Sequence, residues 1–139
     1  MKLTLHFLAA CITTFILASV AHSQMVLAEL ANINVVITEA DRFQMTLSDL
    51  AGLLPSYGAV IAISLLLAFS IKWLISSKIK QLPDSLYVLA GFLAIACALA
   101  AMHPILDITL IAGARTPFGL FLQALSGAIG GYVFMKLRQ

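Results

Sequence analysis

Charge is what this sequence has least of. Only 10% of its 139 residues are Asp, Glu, Lys or Arg, against about 25% in soluble domains. Fully 62% are apolar, and the mean hydropathy is +1.06. A soluble domain this small leaves too much surface exposed to hide that composition, so an ordinary water-soluble globule is excluded. The net charge of +2 is not gathered into a basic patch, which gives no case for a nucleic-acid partner.

Other absences narrow the chemistry. The two cysteines, Cys11 and Cys97, both lie in apolar stretches and have no Cys or His at metal-ligand spacing. They read as small packing residues. No glycine-rich loop precedes a lysine. No Ser/His/Asp or Cys/His constellation suggests an activated nucleophile. The apolar runs hold no deep carboxylate, which weakens a proton-coupled carrier. No cofactor, metal or catalytic residue is expected, and the chain reads as a non-enzyme.

What is present is long apolar runs. A bilayer core needs roughly 20 apolar residues in a helix. Four segments approach that length: Leu3 to Ala21, Tyr57 to Ile75, Leu86 to Met102, and Phe118 to Met135. The expected fold is therefore an all-α integral membrane protein, one domain over 1–139, with transmembrane helices at 57–75, 86–102 and 118–135. Proline marks several boundaries. Thr116-Pro117 supplies an N-cap and a first helical residue. His103-Pro104 should close the third run, and Asp84 or Ser85 can cap its start.

The first run has two readings. Lys2, the apolar stretch, and Ser19-Val20-Ala21 or Ala21-His22-Ser23 resemble a secretory signal with its cleavage site. Residues 1–23 are thus a signal peptide or a first transmembrane helix, giving three crossings or four. Leu8-Ala9-Ala10-Cys11 looks like a lipoprotein box but comes too early to leave an adequate apolar region.

The few charges are sharply placed. With the N-terminus inside, Lys2, Lys72, Lys78, Lys80, Lys136 and Arg138 lie inside, and only Arg42 and Arg115 lie outside. The acids sort oppositely: Glu29, Glu39, Asp41, Asp49 and Asp107 outside, Asp84 inside. That is the positive-inside pattern, and it puts the C-terminus in the cytoplasm of a bacterial inner-membrane protein. Lys72 should snorkel to the headgroups. Trp73, Tyr57, Tyr87 and Tyr132 near segment ends suggest aromatic belts.

Residues 24–56 form the outer segment. Ile33–Thr38 is β-branched, and Phe43, Met45 and Leu47 alternate with polar residues, so a small β-hairpin turning at 39–42 is expected. Residues 107–112 would offer it a third strand. Ser48 or Thr46 would cap a short interfacial helix from Asp49.

Small residues carry the packing signal. Gly127 with Gly131, and Ser126 with Gly130, form small-xxx-small pairs on adjoining faces of the last helix. Ala94 and Ala98 give the preceding helix a small face. These residues fit either packing within the chain or an interface with another subunit or a second copy. Gln123, deep in the last helix, needs a polar partner. His103, Asp107 and Arg115 gather at the other outer loop as a candidate polar site. The function expected is a non-enzymatic membrane subunit of a larger assembly. The alternative is a small homo-oligomeric pore, carrier or holin-like protein. The bilayer is the one certain partner in either case.

Overall fold

Five helices follow one another: α1 (Lys2–Asn32), α2 (Glu39–Leu53), α3 (Tyr57–Lys78), α4 (Leu86–Leu106) and α5 (Pro117–Arg138). The computed structural model describes residues 2–79, 82–106 and 116–139, with the side chains of 103–106 excepted. No strand occurs among the described residues.

Three helices, α1, α3 and α5, are long and apolar enough to cross a membrane, whereas the apolar stretch of α4, Leu86–Met102, is shorter. With 31 residues, α1 is about 46 Å long at 1.5 Å per residue. That exceeds a hydrocarbon core of about 30 Å. The first segment therefore does not stop near Ala21; it runs on for some 3 further turns.

The expected hairpin is replaced by helix, for reasons visible in single residues. Asn34 adopts a left-handed backbone, φ 62°, which asparagine tolerates better than most residues. Around it Asn34 N–H donates to the Ala31 carbonyl (3.1 Å) and Val35 N–H to the Leu30 carbonyl (3.3 Å). This pair of bonds is the Schellman stop, and it ends α1. Four residues later Thr38 starts α2 through a reciprocal cap. Its hydroxyl accepts from Asp41 N–H (3.2 Å), and the Asp41 carboxylate accepts from Thr38 N–H (2.9 Å). Glu39 and Asp41 in the first turn also suit the positive end of the helix dipole. Phe43 and Leu47, expected to alternate along a strand, instead stand one above the other on one helical face. The short helix expected from Asp49 is the last third of α2.

The bundle closes as a ring in which α1 packs on α5, α5 on α4, α4 on α3 and α3 on α1. Without a hydrophobic drive between helices in lipid, close backbone approach must hold such a ring. At the α4–α5 seam, a methyl on Gly127 would collide with the Gly91 carbonyl, and one on Gly131 with the Tyr87 carbonyl. At the α1–α5 seam, a methyl on Gly130 would run into the Thr14 hydroxyl and the Ala10 backbone. Aromatic rings fill the centre near the Lys72 end. Phe69 stacks on Phe134 with centroids 4.6 Å apart, and Tyr87 stands edge-on to both at 5.4 and 5.0 Å.

Two boundary expectations need correction. α4 does not close at His103-Pro104 but continues through the proline to Leu106. A proline in the final turn frees only one carbonyl, which suits a helix end better than an interior. The aromatic belt is also smaller than expected: Tyr57 and Tyr87 are fully buried in the core, while Tyr132 and Trp73 are exposed.

Candidate functional site

Polar side chains inside this bundle fall at three levels. The hairpin end, where α1 and α2 pair, carries the first. Ser23, fully buried on α1, places its Oγ 2.6 Å from Asp49 Oδ2 on α2 and 3.1 Å from the Ser19 carbonyl. Its single hydrogen serves both acceptors. Arg42 of α2 reaches Gln24 of α1 at 3.3 Å. These bonds tie α2 along α1. His22 is buried next to Ser23 in the chain. A serine, a histidine and an aspartate thus meet, but the serine sits directly on the carboxylate. In hydrolytic triads the imidazole stands between them and takes the hydroxyl proton. Here the contact serves as a structural tie.

The middle level centres on Gln123. Its Oε1 accepts from Tyr57 Oη at 2.7 Å, and its Nε2 donates to the Ala18 carbonyl at 3.1 Å. One amide thus bridges α3, α5 and α1. Both side chains are fully buried. Thr14, whose hydroxyl stands against Gly130 of α5, and Ser19 are both fully buried. Together with His22 and Ser23 they put polar groups among the apolar Ala10, Phe15, Ala18 and Leu27 on the buried face of α1, while Ile12, Ile16 and Val20 are exposed.

The third level lies at the basic end. Lys72 does not snorkel: it is only 7% exposed, its ammonium lies 2.9 Å from Asp84 Oδ1, and it sits 4.0 Å over the Tyr87 ring. Arg138 donates to Tyr87 Oη and lies 5.4 Å from the same ring. The bonded Lys72 ammonium holds the Asp84 carboxyl below its ordinary range, against slight desolvation, with help from the Lys72 and Arg138 charges. Cations over an aromatic face gain from its quadrupole, so Tyr87 offers both basic groups a site that needs no second acid.

No protein-family model matches this chain, and no curated protein or solved structure matches it either. Its geometry must carry the functional reading alone.

The small-residue faces divide cleanly. Gly127 and Gly131 face α4, and Ser126 and Gly130 lie buried, with Gly130 against α1. Ala94 and Ala98 face away from these seams. With Ala90 and Cys97 they line an open apolar groove of about 640 Å³ between α3 and α4, opposite Ser64 and Ala68. Of the outer-loop constellation, Asp107 and Arg115 lie outside the described residues, as does the third strand expected at 107–112, and the His103 side chain is likewise undescribed. Among the described residues no group of three His, Cys, Asp or Glu could hold a metal ion.

Three polar features escaped the sequence reading: Ser23–Asp49, the buried polar groups of α1 and the Lys72–Asp84 pair. The α1 groups had a signal. Thr14, Ser19, His22 and Ser23 recur at helical spacing opposite Ile12, Ile16 and Val20. The two pairs join residues 26 and 12 apart and had no local signature.

Proposed function

We propose that this chain is a non-enzymatic, four-crossing subunit of a larger inner-membrane assembly, with both ends on the cytoplasmic side. The carrying observation is the contrast between its small-residue faces. Those of α5 are filled from within the chain, whereas Ala94 and Ala98 line a groove that no helix covers among the described residues. Small residues on an apolar, outward-opening groove suit the close approach of a transmembrane helix from a partner. The buried polar groups support a scaffold over a reactive centre, since each level ties two or three helices together.

The first segment belongs to the subunit in this reading. Ala10, Thr14 and Ala18 are fully buried, and removing residues 1–21 or 1–23 would strip the cover from Gly130 and the Ala18 carbonyl from Gln123. That favours four crossings over three and a retained helix over a cleaved signal.

Native mass spectrometry of tagged protein, gently extracted from its own membrane, tests the proposal. Stoichiometric foreign subunits should accompany the wild type and be lost from an Ala94→Leu, Ala98→Leu double variant that still melts cooperatively. The second reading, a homo-oligomeric pore or carrier, takes support from the same groove if a second copy fills it. A closed homo-oligomer with ion flux in vesicles would replace the first proposal by the second. The tightly packed Phe69, Tyr87 and Phe134 rings weigh against a path through the single bundle.

A further inference from the structure

A second groove, of about 420 Å³, opens between α1 and α3 at the basic end. Leu3 and Phe7 form one wall, Leu66, Phe69 and Trp73 the other, and Arg138 stands at its end. The walls are nearly all apolar, as a lipid chain would require. The end is not. The Arg138 guanidinium is fixed by its bond to Tyr87 Oη, which uses one of its five N–H donors. Asp84 is the one acid at this end among the described residues, and the Lys72 ammonium already sits on it at 2.9 Å. Lys2 immediately precedes the first lining residue. The groove thus ends in positive charge, with no Asp or Glu among its described lining residues, although the Arg138 charge also acts on Asp84. Trp73 lies 59% exposed along it, and indoles favour the headgroup level.

We propose that this groove holds one acyl chain of an anionic glycerophospholipid, with Arg138 binding its phosphate. Basic pockets between transmembrane helices on the cytoplasmic side receive acidic headgroups for this reason, and guanidinium forks match phosphate oxygens. The inference rests on the inside position proposed for this end. It does not depend on a protein partner, because the site lies on the opposite side of α3 from the Ala94–Ala98 groove.

The test uses the purified full chain in detergent, native mass spectrometry, and added phosphatidylglycerol or phosphatidylcholine with identical chains. The wild type should retain one phosphatidylglycerol in preference, by about fivefold, the scale expected of one basic residue at a membrane surface. Arg138→Gln should abolish the preference. Ser70→Trp, which fills the groove from α3, should reduce retention of both lipids. Lys136→Gln, over Tyr132 and outside the groove, should change neither. Equal retention of the two lipids by the wild type would overturn the proposal. So would unchanged lipid retention in folded Ser70→Trp, even if Arg138→Gln loses the preference, because bulk surface charge would then suffice. Should Arg138→Gln fail to fold, the wild-type preference and Ser70→Trp decide the matter. Association with foreign subunits is read from separate mass peaks, so either proposal can fail alone.

Discussion

Single residues decide how tightly this bundle closes. Gly127 faces the Gly91 backbone with no room for a methyl, so Gly127→Ala must push two backbones apart. It should cost about 1–3 kcal/mol, the range for overpacked cores, and lower the melting temperature in detergent. Gln123 and Tyr57 form a buried pair at 2.7 Å. A double-mutant cycle with Gln123→Leu and Tyr57→Phe should give a coupling of about 0.6–1.7 kcal/mol, as for hydrogen bonds between membrane helices. A coupling near zero would mean that the pair contributes only packing. Asp84 yields a prediction with a sign. Its folded carboxyl titrates below the ordinary range because of Lys72, so its stabilisation is complete above the unfolded value. It fades as pH falls through the lowered one, below about pH 4. The melting temperature should drop over that window, and Asp84→Asn should flatten part of the drop while costing about 1 kcal/mol at neutral pH. Only part will flatten, because the Thr38 bonds lower the Asp41 carboxyl in the same direction. At this scale the sequence was legible where composition forces an outcome. A lone glutamine in an apolar helix must find a partner, and Gly127 with Gly131 must admit a backbone. It was not legible for Lys72, because a long stem reaches water or a buried acid equally well, and the fold alone brings Asp84 to it.

Elements were legible by hydropathy and obscure by local chemistry. The four apolar runs stand where α1, α3, α4 and α5 stand, since a period of 3.6 and a run of that length leave little else. The outer segment was misread because Phe43, Met45 and Leu47 satisfy both a strand period and, as the pair 43 and 47, a helical one. The deciding signals were the Asn34 stop and the Thr38–Asp41 reciprocal cap, both weak when read singly. They can be tested at the same scale. Asn34→Val forces a β-branched residue into left-handed backbone and should cost about 1–2 kcal/mol, whereas Asn34→Gly should be tolerated. Thr38→Ala should cost about 1 kcal/mol. Faster amide exchange over 39–45, with the bundle unchanged, would read both effects.

For the whole molecule, the small residues do two different jobs in two places, one closing the ring and one leaving a groove open. The sequence could mark both faces but not assign them, since which face is filled depends on where α1 lies. The length of α1 has a mechanical consequence. It is one unbroken rod, and its tightest contact, at Gly130, lies near residues 10 and 14. About 30 Å of helix at 1.5 Å per residue extends beyond that contact to Asn32. A tilt of about 10°, well inside the range seen for membrane helices, would sweep the hairpin end through about 5 Å. The Leu3–Phe7 end, on the short arm, would move by only about a quarter to a half as much, judged from the same rise per residue. In such a tilt the Gly130 contact would act as a fulcrum, turning a large displacement at the Asn32 end into a smaller one at the Leu3–Phe7 end.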